Sequence, residues 1–170
     1  MKNFAQLTAI SPIDGRYGGK VEELREVFSE YGLVKRRVQV ECAWLKALCA
    51  HPGIAEAKRL SKAEAKALAA IGDGFSVADA QRVKDIEKTT NHDVKAVEYF
   101  LKEKIRGTSL ESRSEFIHFA CTSEDINNMS QALMLRDGKT VLRAAMDEMT
   151  AKVAAMANEW AKVPMLAHTH

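Results

Sequence analysis

Phe116-Ile117-His118-Phe119-Ala120-Cys121-Thr122-Ser123-Glu124-Asp125-Ile126-Asn127-Asn128 changes character at Thr122. Before it the run is apolar and aromatic, with one histidine. From Thr122 onward it reads as the opening of a long helix. Thr122 or Ser123 can accept a hydrogen bond from a free backbone N–H of the first turn. Glu124 and Asp125 place negative charge where the helix dipole favours it. On local physics alone this is a capped helix after a buried turn. The unpaired N–H groups of such a helix start also suit a carboxylate or phosphate.

Downstream, Leu142, Met146, Met149, Val153, Met156, Trp160 and Val163 alternate steps of four and three. That is a heptad-like stripe of the kind a helix bundle uses, with Arg143, Asp147, Lys152 and Glu159 outside it. Methionine in such a stripe is packing material, not a metal site. Pro164 marks the end of the helix.

Upstream, periodicity begins near Lys20 and runs through Leu24, Phe28, Tyr31, Val34, Val38, Cys42, Leu45 and Cys49, with Gly32 as the expected break or kink. The run stops at His51-Pro52-Gly53, where His51 reads as a basic residue at a helix C-terminus. Ser61 with Glu64 is a capping box for a helix over 62–71, halted at Gly72-Asp73-Gly74. Ser76 with Asp79 opens a third helix reaching toward Glu87. Thr90 and Asn91 are cap-type residues before a fourth helix, whose buried side is Val94, Val97, Phe100, Leu101 and Ile105. The whole pattern predicts an all-α chain. We place an N-terminal helical domain at 1–111 and the start of a helical bundle, its first long helix, at 112–170, divided at Gly107-Thr108-Ser109.

Composition agrees. In 170 residues, 3 Pro and 9 Gly among many Ala, Leu, Glu and Lys favour helix. The net charge of +2, with both signs mixed along the chain, argues against a nucleic-acid or polybasic membrane surface. No apolar run approaches a signal peptide or a membrane span. Cys42, Cys49 and Cys121 form no Cys-x-x-Cys pair, which fits a reduced, cytoplasmic protein. Cys42 and Cys49 lie two turns apart on the apolar stripe and read as small core residues. His168-x-His170 lacks the further ligands a metal site needs.

Three further stretches carry candidate chemistry. Ser11-Pro12-Ile13-Asp14-Gly15-Arg16-Tyr17 is a turn-rich loop that can present Arg16 and Tyr17. Thr90-Asn91-His92-Asp93-Val94 holds a histidine between helices. Thr169-His170 ends the chain. Locally the first two have bland readings: a solvated arginine and a structural histidine.

Taken together, in this order, they resemble the fumarase/aspartase superfamily, and most closely its adenylosuccinate lyase branch. The match rests on Ser-Pro-x-Asp-Gly-Arg-Tyr, on Thr-x-His-Asp-Val, on His118 with Thr122-Ser123, and on Thr169-His170. The resemblance implies that Arg16, Tyr17, Asn91, His92, Asp93, Thr122 and Ser123 bind substrate, and that His92, His118 and His170 are catalytic, with His170 the general acid. It implies cleavage of adenylosuccinate to AMP and fumarate, and of succinylaminoimidazole-carboxamide ribotide likewise, with no metal or organic cofactor. A homotetramer with composite sites is implied too, so the histidines need not meet within one chain. Two positions depart from the family pattern: Ala120 stands where many members have Gly, and His168 where Arg is usual. The superfamily's Gly-Ser-Ser-x-Met-Pro-x-Lys-x-Asn-Pro loop, which carries the base, is not in the sequence. We therefore expect an N-terminal fragment of a lyase more than twice as long, inactive alone. Another superfamily lyase, such as argininosuccinate lyase, and a non-catalytic helical interaction module are the competing readings.

Overall fold

The computed structural model describes residues 6–166. Among them there are six α-helices and four short 3-10 turns, and no strand. The α-helices are α1 (Glu22–Phe28), α2 (Glu30–Ala50), α3 (Lys62–Asp73), α4 (Val77–Thr90), α5 (Asp93–Ile105) and α6 (Ser123–Trp160).

The break in the first helical run falls at Ser29, not at Gly32. Ser29 is extended, and its hydroxyl accepts from the Gly32 N–H at 3.2 Å, so α2 starts afresh with its own cap. Gly32 lies inside the first turn of α2 for a steric reason: a Cβ there would stand 2.3 Å from the Val27 carbonyl oxygen. The glycine therefore permits the tight join of α1 to α2; it does not interrupt the helix.

The capping boxes expected at Ser61/Glu64 and Ser76/Asp79 both form. Helix α3 runs past the expected stop to Asp73, with Gly72 packed on Gln39 of α2. Helix α4 runs on to Thr90, and Asn91 closes it in the left-handed conformation at φ 50°. The cap of α5 is therefore not Thr90 or Asn91. It is His92, whose Nδ1 accepts from the Lys95 N–H at 3.2 Å. His51 caps the end of α2 and accepts from the Gly53 N–H.

Helix α2 is the axis of the domain. Its Val34, Val38, Cys42, Leu45 and Cys49 face Leu68 of α3, Val83 of α4, and Val97, Phe100 and Leu101 of α5. Phe75 stands edge-on to Phe100 with centroids 5.6 Å apart, and its carbonyl accepts from the Tyr31 hydroxyl. Fully burying a side chain such as Phe100 is worth ~1.5–3 kcal/mol, which is what fixes α3, α4 and α5 around α2. Cys42 and Cys49 are buried and free, as their place on the stripe requires.

The stretch before α6 is not the buried turn expected: among residues 111–122 only Ile117 is buried. Glu111–Phe116 form a 3-10 turn, and the chain then bends through His118 at φ 60° and Ala120 at φ 57° before Thr122 caps α6. The 38 residues of α6 span about 57 Å. Its first half is antiparallel to α2 and bears on α1, where Phe28 lies against Gly138. Beyond Val141 it is exposed on all sides. Leu142, Met146, Met149, Val153, Met156 and Trp160 remain between 46% and 60% exposed. The helix ends at Trp160, before Val163, because Pro164 disfavours helical backbone at the residue it follows.

Candidate functional site

Three elements meet at one corner: the end of the α4–α5 turn, the bend before α6, and the middle of α2. A small core of Val40, Val94 and Ile126 lies beneath it, one residue from each of α2, α5 and α6. Two charged residues of α2, one turn apart, organise what lies above.

The first is Arg37, only 6% exposed. Its Nη2 donates to Asp93 Oδ2 at 2.6 Å and its Nε to Asn127 Oδ1 at 2.9 Å. The other Asp93 oxygen accepts from the Val94 N–H at 2.8 Å. Burial pushes the Asp93 carboxyl up, but the Val94 N–H and the Arg37 charge outweigh it and hold the group below its ordinary value of 3.8. His92, beside it, is half-exposed, with Nδ1 engaged by the backbone.

The second is Glu41, 0% exposed. Its Oε1 lies 2.6 Å from His118 Nδ1, and its Oε2 accepts from the His118 backbone N–H at 3.2 Å. Burial raises the Glu41 carboxyl, and the bonds and charge of His118 oppose that. Trp44, a turn further on, donates from Nε1 to the Phe119 carbonyl at 2.8 Å. Helix α2 thus grips the bend at two consecutive residues, His118 and Phe119.

Thr122 and Asp125 form a full capping box. The Thr122 N–H donates to Asp125 Oδ2 at 2.8 Å, and the Asp125 N–H to the Thr122 hydroxyl at 3.4 Å. In this arrangement the Thr122 N–H is already engaged by the chain's own carboxylate, which an incoming anion would have to displace. The Thr122 groups hold Asp125 below its ordinary value. Cys121, next to the cap, has its thiol pushed by burial up to about 11 and is no nucleophile near neutrality.

The structure thus joins Asp93, with Asn91 and His92 on the same turn, to Asn127 at the start of α6, and His118 to the same face of α2. Arg16 and Tyr17 stand apart in their own loop. Its backbone bonds run within it, Gly15 N–H to Ser11 and Tyr17 N–H to Pro12, with the Arg16 guanidinium 5.1 Å from the Tyr17 ring centre. No hydrogen bond or ion pair among the described residues ties that pair to the corner. His170 and His168 lie outside the described residues. A cleft of about 890 Å³ between α2 and α6, lined by Val40, Trp44, Ile126 and Met129, lies alongside but is mostly apolar and includes neither His92 nor His118. The polar convergence at the corner is the better mark of chemistry.

Arg37, Glu41 and Asn127 were not singled out from the sequence. The signal for the first two was there. They border the apolar stripe of α2, each one residue before an inward position, Val38 and Cys42.

The chain matches the sequence profile of a family described as lyase, over residues 15–170. This chain belongs to the lyase family. It is similar to the adenylosuccinate lyase of Escherichia coli strain K12, 52% identical over 168 residues, 98% of this chain and 37% of that protein. The adenylosuccinate lyase of Vibrio cholerae is 51% identical over 166 residues, 96% of this chain and 36% of that one. The enzyme of that name from Legionella pneumophila strain Corby is 43% identical over 166 residues, with the same coverage of 96% and 36%. The chain therefore spans little more than a third of the length of these relatives.

Two predictions arise at this corner of the lyase chain. Ala120 holds a left-handed backbone that costs a non-glycine residue ~1–2 kcal/mol. Glycine there relieves that strain but adds freedom to the unfolded chain, worth ~0.4–1 kcal/mol the other way. Ala120→Gly is therefore expected to stabilise by roughly 0.5–1 kcal/mol, read as a higher urea midpoint with unchanged slope. A lower midpoint would contradict the assignment of strain to this bend.

Asp93 has a lowered folded-state value, so its contribution to stability is present above 3.8 and lost as the pH falls through the folded value. Asp93→Asn is expected to be less stable than the parent at neutral pH, by no more than ~1 kcal/mol because the side chain is partly exposed. The gap should close on acidification below the ordinary aspartate range. Urea midpoints across that range would show it, and a gap independent of pH would refute the ionic role.

Proposed function

We propose that this chain forms part of a lyase that cleaves adenylosuccinate to AMP and fumarate, and succinylaminoimidazole-carboxamide ribotide in the same way. What most supports the reading is that the Asn91-His92-Asp93 motif and the His118/Thr122-Ser123 motif, distant in sequence, are held on one face of α2 by Arg37 and Glu41. The names borne by the similar proteins support the substrate.

The reaction is a β-elimination. A base takes a proton from the succinyl carbon, the freed electron pair becomes the carbon–carbon double bond of fumarate, and the carbon–nitrogen bond breaks. Negative charge builds first on the adjacent carboxylate. Preorganised donors must stabilise it, typically the largest contribution to such catalysis. In this proposal Thr122 and Ser123 supply them, with Asp125 displaced or turned aside as substrate arrives. The leaving nitrogen takes a proton from an acid whose pKa lies near the working pH, and His170 is assigned that role. His92 and His118 orient substrate, and Arg16 and Tyr17 meet its nucleotide part. No step calls on a metal or organic cofactor.

The division of the chain at residue 111/112 is carried into this proposal, as is a homotetramer in which α6 beyond Val141 is the subunit contact. Its exposed apolar stripe supports that. Arg16 and Tyr17 would then join a corner supplied by another subunit. No described helix is long and apolar enough to cross a membrane, and a cytoplasmic setting fits the proposed metabolite chemistry.

The test is an assay of a protein of the relatives' length that carries this sequence. It should release fumarate from adenylosuccinate and none from argininosuccinate. Turnover of argininosuccinate alone would transfer the chain to another branch of the lyases. Turnover of neither, by a folded tetramer, would favour a purely structural module.

A further inference from the structure

We propose that Glu41 is the positioning residue of His118, holding its imidazole as the Nδ1–H tautomer so that Nε2 is the side left for a ligand. Glu41 is fully buried, and both of its oxygens meet the same residue: Oε1 lies 2.6 Å from the ring Nδ1, and Oε2 accepts from the backbone N–H. An ionised carboxylate has no hydrogen to donate, so with Glu41 ionised the hydrogen of the 2.6 Å bond belongs to Nδ1. His118 is the only ion-pairing partner of Glu41 among the described residues.

Two further observations give the arrangement a purpose beyond packing. A buried carboxylate with one partner is poor stabilisation, and an apolar residue of similar size usually serves a core at least as well. Glu41 is nonetheless fully buried on α2, bordering the stripe beside Cys42. The bend it holds is also strained, with left-handed backbone at His118 and Ala120, and strain of this kind is kept where the surroundings over-determine it. The bonds from Glu41 and Trp44 to successive residues do so here. A carboxylate that fixes the tautomer and ring orientation of a working imidazole is a recurrent device. The corollary is chemical: in the free protein His118 meets its ligand through an Nε2 lone pair. It would therefore take a hydroxyl or N–H donor, and would meet an anion only after Nε2 is protonated.

The tautomer assignment is independent of the proposed reaction. Only its consequence for turnover rests on that reading. Long-range nitrogen–proton NMR of the histidine-labelled chain, at alkaline pH where imidazole is neutral, reads it directly. The His118 signals are assigned by their loss in His118→Asn. A bond between an imidazole N–H and a carboxylate favours one tautomer by about tenfold or more, so Nδ1 should appear protonated and Nε2 bare. Finding Nε2 protonated in the unmodified chain overturns the proposal with no variant needed. Glu41→Gln can turn its amide N–H₂ toward Nδ1 and should swap the tautomer. Glu41→Asp keeps the carboxylate and should not. An unchanged tautomer in a folded Glu41→Gln protein also overturns it.

In a protein of the relatives' length, Glu41→Gln and His118→Ala should each lower turnover, and the double variant no further than His118→Ala alone. Additive losses would overturn action through His118. Unaltered turnover in His118→Ala with the expected tautomer would sink the catalytic reading of His118 and leave the tautomer assignment standing.

Discussion

Replacing Met149 and Met156 together with glutamate is expected to weaken self-association of this chain by ~10³-fold or more. Each subunit of the proposed bundle would carry two carboxylates into an apolar seam. An ion taken from water without a partner costs several kcal/mol, and each 1.4 kcal/mol is tenfold in a binding constant, so two such ions per chain give at least that factor. The force opposed is large. The exposed stripe from Leu142 to Trp160, if fully buried, would contribute on the order of 10–20 kcal/mol before ordering costs. A continuous apolar surface of that extent seldom stays in water. The fold below Val141 should be untouched, because neither methionine touches α1–α5. Sedimentation velocity of both proteins at micromolar concentration, beside their circular dichroism, decides the point. A parent chain that sediments as a clean monomer with the same helix content would end the argument for α6 as the contact.

His170→Ala, in a protein of the relatives' length, is expected to lower turnover by ~10²-fold or more while adenylosuccinate still binds. The proton needed by the leaving nitrogen is required only as the carbon–nitrogen bond breaks. Its donor therefore contributes to the transition state and little to the ground state. The expected pattern is a fall in kcat with KM within a few-fold of the parent, and loss of the basic limb of the pH profile, the one a general acid sets. A leaving group that needs less protonation should suffer less. Turnover within a few-fold of the parent would move the acid elsewhere, with His92 the first alternative, since its side chain is half-exposed at the α5 cap.

Local signals were legible wherever a single residue type decides a backbone choice. Ser61 with Glu64 and Ser76 with Asp79 were readable because a hydroxyl three residues before a carboxylate has one strong local use, whereas at α6 the sequence offered Thr122 or Ser123 and the structure takes Thr122. The α2 and α5 stripes were readable because burial repeats at the helical period. Gly32 was misread for the complementary reason. Its role depends on how close Val27 approaches, and no property of the glycine reveals that. His92 as a cap was missed because a histidine ring nitrogen in that role is uncommon, and Thr90 and Asn91 offered more usual choices.

The candidate site divides along the same line. By itself the sequence determined the helical class, the start of α6 at Thr122 or Ser123, the apolar seam on its far half, and the residue types available for chemistry. Each follows from periodicity or from contacts within four residues. Only the tertiary structure decided that Arg37 ties Asp93 to Asn127, that Glu41 holds His118, and that Arg16 and Tyr17 stand apart from both. Those bonds link residues 56 to 90 positions apart, and a side chain's partner across such a gap depends on how the helices pack. Local propensity cannot encode it, because the same charged residue on the same helix face would be solvated if α5 or α6 crossed α2 one turn further along.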